Sequence, residues 1–104
     1  MMSDLTAIRD RLRTFADARN WNQFHTPKNL SMAIAGEAGE LLAEFQWLTP
    51  EESSRLTAEK LRDVEMEIAD VAIYLVRLAD VLGLDIYEAT MAKIAINESR
   101  FPPQ

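Results

Sequence analysis

Apolar residues recur along this chain at intervals of three and four, the period of an amphipathic helix. Leu5, Ile8, Leu12 and Phe15 mark a first helix that Ser3 can cap and that should fade near Asn20. The pattern breaks at "WNQFHTP". Thr26 followed by Pro27 then starts a second helix, with an acceptor at the cap and proline in the first turn. It should run to about Trp47. "TPEE", Thr49 to Glu52, has the spacing of a capping box and a short helical piece should follow. A long third helix is predicted from near Thr57 to just before Gly83, which suits a left-handed cap. Asp85 and Glu88 open a fourth helix, which should end near Arg100 ahead of Pro102 and Pro103. No segment alternates with period two for long enough to make a strand. The expectation is a single all-α domain over residues 1–104, a four-helix bundle.

Projection around the second helix, at about 100° per residue, sorts its residues into three faces. Leu30, Ile34, Leu41, Phe45 and Leu48 form an apolar arc. Ala35, Gly36, Gly39 and Ala43 form an arc of small residues roughly opposite, which predicts close approach of another helix. Glu37, Glu40 and Glu44 occupy the strip between. On the third helix, Leu61, Val64, Ile68, Val71, Ala72, Leu75 and Leu82 cover one side, while Met66 and Ile73 project from the other. Glu67, Asp70 and Tyr74 lie between these flanks. Apolar flanks on both sides predict burial on both sides, which would carry Glu67 and Asp70 into a crowded space.

Carboxylates held on apolar ground are costly unless protons or cations meet them. Two pairs at i,i+3, Glu37 with Glu40 and Glu67 with Asp70, therefore suggest a divalent ion. Ligand sets made only of oxygen favour magnesium or manganese, and magnesium commonly shares its shell with phosphates. Solvated acids or helix-surface ion pairs account for the same spacing, and Glu44, Glu51, Glu52, Glu59, Glu65, Glu88 and Glu98 read as surface or capping acids. A di-iron bundle needs Glu-x-x-His pairs, and the only histidine, His25, has no glutamate three residues before it. A P-loop is absent from the sequence.

Composition narrows the partners. The chain has 104 residues, 48% of them hydrophobic, so a subunit that completes its core by association is favoured. A net charge of −6 with no Lys/Arg run argues against polymeric nucleic acid and anionic membrane. There is no cysteine, which removes thiolate metal sites and disulfides. Charges interrupt every apolar run before membrane-spanning length and no secretory leader is legible, so a soluble cytoplasmic protein is expected.

Four motifs in register carry a family resemblance over nearly the whole chain. They are "WNQFHTPKN" (Trp21 to Asn29), "GEAGELLAEFQW" (Gly36 to Trp47), "EIADVAIYLVRLAD" (Glu67 to Asp80) and "KIAIN" (Lys93 to Asn97). Together they resemble the all-α nucleoside triphosphate pyrophosphohydrolases, the MazG-like superfamily, and most closely its short dCTP pyrophosphatase branch. The resemblance implies a MazG-like bundle and magnesium-dependent cleavage of a nucleoside triphosphate, such as dCTP or a related pyrimidine, to monophosphate and pyrophosphate. Manganese is a possible substitute, and house-cleaning of nucleotide pools is the implied role. It makes Glu37, Glu40, Glu67 and Asp70 the metal ligands and puts Lys93 and Asn97 around the triphosphate, an assignment extended to Arg100. It places Trp47 and Tyr74 in the base and sugar pocket, with Trp21 and His25 as neighbours. Gly36 stands where the broader superfamily has a first glutamate, as it does in the dCTP branch, and Leu12 stands where that branch has a histidine.

The residues alone offer plainer roles for several of these positions. Trp21, Phe24 and His25 can form a hydrophobic staple at a helix start. Trp47 can be ordinary packing, and the cations near the end of the fourth helix suit its dipole. Lys28 and Asn29 open the second helix, where free amides favour anions. Glu40 is a candidate general base. Assembly as a homodimer or homotetramer, with base pockets completed between chains, is expected. The competing readings are a catalytically silent helical interaction module and a pyrophosphohydrolase of phosphoribosyl compounds.

Overall fold

Local capping sets where each helix begins. The computed structural model describes residues 3–104. It holds four long helices and one short one: α1 (Asp4–Ala18), α2 (Pro27–Phe45), α3 (Pro50–Ser53), α4 (Ala58–Val81) and α5 (Ile86–Arg100). Ser3, Thr26, Thr49, Thr57 and Asp85 each accept a hydrogen bond from a first-turn amide with their side chains. At α3 the box is reciprocal: Glu52 N donates to Thr49 Oγ1 at 3.1 Å and Thr49 N donates to Glu52 Oε1 at 2.8 Å. Gly83, at φ 73°, adopts the left-handed conformation expected after α4. Asn20, at φ 57°, takes the same conformation after α1, two residues beyond the helix. α2 stops at Phe45, two residues before the expected end.

α4 is the spine. It packs chiefly against α2, less against α1, and only thinly against α5. Val64 and Val76 of α4, Leu30 of α2 and Ala16 of α1 make up the buried apolar set among the described residues. Burial of both α4 flanks, expected from the sequence, is not found within one chain. Leu61, Met66, Ile68, Leu75 and Leu82 remain substantially exposed because no further helix of the same chain covers them. The close approach predicted at Gly36 and Gly39 is likewise absent, since a Cβ on either glycine would meet no atom within 4 Å.

The outcome is an open bundle. α5 has no buried residue. The radius of gyration is 16.4 Å, against about 13 Å for a compact domain of this length. The accessible surface is 8112 Å², about 2,200 Å² more than the roughly 5,900 Å² of a folded monomer of 11.8 kDa.

Candidate active site

The α2–α4 packing brings the acidic strips together. Carboxylate oxygens of Glu37, Glu67 and Asp70 lie within 4.8 Å of one another, all on half-buried residues. Glu40 stands outside this tightest group, on the exposed side, yet its charge reaches both Glu37 and Glu67. Burial raises the Glu67 carboxyl above its ordinary range, and the charges of Glu40, Asp70, Glu37 and Glu44 push it further. Glu37 is raised in the same sense, by burial first and then by Asp70 and Glu40. Glu67 Oε2 is buried with no hydrogen-bond partner among the described residues.

An orphaned anionic oxygen among like charges is what a cation would relieve. The donor set is oxygen alone, which fits magnesium or manganese and suits zinc or copper poorly. A pocket that supplies only part of an octahedral shell also leaves positions for water and phosphate oxygens. Glu44, read from the sequence as a surface or capping acid, is drawn inward: Lys60 Nζ approaches its Oε2 at 2.7 Å, off the line of a hydrogen bond. Lys60 is thus the ammonium at this end of the acidic strip.

Beside the carboxylates lies a cavity of about 200 Å³ walled by Leu12, Phe15, Ala16, Trp21, His25, Glu37, Asp70, Ile73, Tyr74 and Arg77. Its acidic lining is Glu37 and Asp70, and its aromatic lining is Phe15, Trp21 and Tyr74 with His25. Phe15 and Trp21 meet edge to face at 5.3 Å, and Trp21 and His25 at 6.1 Å. The loop that carries Trp21 and His25 is pinned to α1 by Trp21 N donating to Ala16 O at 3.0 Å, and to α2 by Asn29 Nδ2 donating to Phe24 O at 3.0 Å. An aromatic-lined cavity beside carboxylates can hold a heterocycle with its phosphates directed toward a cation.

The candidate residues sort by position. Trp21, His25 and Tyr74 line the cavity with Glu37 and Asp70. Trp47 does not: it follows α2 and is 87% exposed. Lys93, Asn97 and Arg100 lie on exposed turns of α5 and are not part of the cavity wall. Leu12, Phe15, Ile73 and Arg77 line it without having been singled out for a pocket role from the sequence. Arg77, 7% exposed, had a legible signal as a lone guanidinium in an apolar run.

A family model described as the MazG-like family matches residues 32–102. dCTP pyrophosphatase 1 of Bos taurus is 40% identical over 101 residues, covering 94% of this chain and 59% of its own length. The Homo sapiens dCTP pyrophosphatase 1 is 40% identical over 100 residues with the same coverage. This chain therefore spans about three-fifths of those relatives. A dATP/dGTP diphosphohydrolase of Cyanophage S-2L is 44% identical over 50 residues, 48% of each chain. A crystal structure of a pyrophosphatase from Archaeoglobus fulgidus superposes with a TM-score of 0.90 at 39% identity, covering 99% of this chain and 96% of that one. On the matched span and the shared fold, the chain belongs to the MazG-like family.

Proposed function

We propose that this protein is a magnesium-dependent nucleoside triphosphate pyrophosphohydrolase that converts a deoxynucleoside triphosphate, dCTP or a related pyrimidine nucleotide, to the monophosphate and pyrophosphate. The observation that carries the reading is the junction of the two half-sites: Glu37 and Asp70 belong both to the carboxylate cluster and to the aromatic cavity. Relatives named for dCTP and for dATP/dGTP support a nucleoside triphosphate as substrate. A phosphoribosyl compound without a base would leave Phe15, Trp21 and Tyr74 without a stacking partner.

Glu37, Glu67 and Asp70 would hold the ion, with Glu40 on the open side able to bind a second ion or accept a proton. Bound there, magnesium would lower the pKa of water and offset the charge of the phosphates and the leaving pyrophosphate. The chain's own residues do the rest. Trp21 and Tyr74 bracket the base, His25 faces it, and Leu12 and Ile73 keep water from the slot. Lys93, Asn97, Arg100 and Trp47 lie outside the cavity of their own chain, so in this reading they reach the substrate across a homodimer or homotetramer. No helix among the described residues is long and apolar enough to cross a membrane. Cleansing of nucleotide pools in the cytoplasm is the role this reading assigns.

The test is pyrophosphate release from a panel holding dCTP, dUTP, modified pyrimidine triphosphates, dATP and dGTP, with magnesium and with manganese. The reading predicts release from at least one pyrimidine nucleotide, abolished by chelator. Metal-independent release would overturn the magnesium-dependent reading, and no release from any nucleotide would overturn it in favour of a silent interaction module.

A further inference from the structure

Arg77 is the buried charge that the reaction chemistry leaves unused. Its guanidinium, on α4, makes contacts far along the chain: Nε donates to His25 Nδ1 at 3.0 Å, Nη2 donates to Asn22 Oδ1, and Nη1 donates to Asp80 Oδ2 at 3.4 Å. Asp80 is held in turn by Arg13 of α1, whose Nε and Nη2 donate to its two oxygens at 2.9 and 2.6 Å. The acceptor carboxylate is thus saturated by two guanidiniums, and Arg77 is fixed in place before it reaches the loop.

A guanidinium donates and never accepts. Nδ1 of His25 must therefore carry its lone pair toward Arg77, and the ring proton sits on Nε2. Turning the ring over would set Cδ2 against Nε and leave a buried donor unpaired. Nε2 has no protein partner among the described hydrogen bonds, and His25 lines the cavity between Trp21 and Arg77. The cavity that His25 lines is shared with Asp70, Ile73, Tyr74 and Arg77 from α4, Glu37 from α2, and the apolar Leu12, Phe15 and Ala16 from α1.

We infer that Arg77 is a positioning residue for the nucleotide pocket: it locks His25 as a neutral Nε2–H donor, so the ring bound beside Trp21 must present a hydrogen-bond acceptor there. The inference rests on the cavity being the base site of the proposed enzyme. Burial and the positive charge of Arg77 both lower the pKa of His25, which keeps the imidazole neutral in the same sense. A keto oxygen or an unprotonated ring nitrogen satisfies the donor; a ring presenting only N–H at that edge does not, and is rejected because two donors would meet.

His25 is the only histidine, so its imidazole signals in a nitrogen-15 long-range correlation spectrum are unambiguous. The wild-type protein should show Nδ1 unprotonated, Nε2 protonated, and an Arg77 Nε–H protected from solvent exchange. A protonated Nδ1, or an Arg77 Nε–H exchanging as freely as a surface arginine, would overturn the inference, and this result stands whether or not the protein hydrolyses any nucleotide. In turnover, Arg77→Met should raise KM for the preferred nucleotide about tenfold with kcat held within about twofold. Asn22→Ala, which cuts the other loop tether of Arg77 and spares the His25 bond, should leave KM unchanged. Equal KM effects from the two variants would make Arg77 a loop clamp and sink the inference. Should Arg77→Met fail to fold, as read by its helical circular dichroism, the wild-type spectrum decides alone.

Discussion

α5 offers the sharpest test of how the open bundle is completed. It is a 15-residue helix with no buried residue, and isolated helices of that length are marginal in water. Tyr87, Met91 and Ile94 recur at i, i+4 and i+7 along it, each a little under half exposed. The surface in excess of a folded monomer, about 2,200 Å² per chain, exceeds the roughly 800 Å² per partner of a standard interface and falls in the obligate class. Ile94 is 46% exposed. Covering that remainder in an assembly accounts for about half of a full isoleucine burial, or about 1 kcal/mol. Ile94→Ala should therefore lower Tm by about 4–8 °C. Ile94→Glu, which sets an unpaired charge in the interface, should break the assembly. Light scattering on the wild type should give at least twice 11.8 kDa, with Tm rising as protein concentration rises. A monomeric wild type whose Tm ignores concentration, or an Ile94→Glu variant with unchanged mass, would refute the reasoning.

The remaining predictions concern the site. Asp70→Ala removes a cluster oxygen and should cost more than the about 10–100-fold that follows from disturbing a metal ligand's supporting partner, with the helical spectrum retained; turnover near wild type would count against the assignment. Trp21→Ala should raise KM at least tenfold with kcat held, since base stacking is worth about 1–3 kcal/mol; a change confined to kcat would not fit a base-stacking role. The raised carboxyls of Glu37 and Glu67 give a signed pH dependence. Their protonation stabilises the metal-free fold fully below the unfolded value of 4.5, and that contribution is lost as pH rises through the higher folded value. Asp80, lowered first by its hydrogen bond from Arg13, acts oppositely and contributes stability above 3.8 that is lost as pH falls through its folded value. In chelator, the urea midpoint should thus climb as pH falls from neutrality toward 4.5, and saturating magnesium should flatten that slope; identical curves with and without metal would contradict it.

Much of the site was legible because it is written at helical spacing. Glu67 and Asp70 sit three apart on α4 and Glu37 faces them from α2, so a projection of two helices found the cluster before any tertiary contact was known. Caps were legible for the same reason: Thr49 and Glu52 satisfy each other within one turn. What escaped depends on distance along the chain or on neighbours outside it. Arg77 earns its place through partners 52 and 55 residues away, which no periodicity encodes. Glu44 turns inward only because Lys60, on another helix, meets it. Pattern predicts burial of the small-residue arc at Gly36 and Gly39 and of both α4 flanks, but within one chain the glycines meet open space and Leu61, Ile68 and Leu75 on one flank and Met66 on the other stay exposed. Sequence pattern marks such a face as apolar without recording what meets it.

The central claim is that Glu37, Glu67 and Asp70 share a hard dication. Calorimetric titration of magnesium into the metal-free protein, beside the isosteric Glu67→Gln variant, tests it most directly. The account predicts saturable binding by the wild type, accompanied by a rise in Tm, and loss of both in the variant. Absence of binding to the wild type, or equal binding by Glu67→Gln, would contradict it.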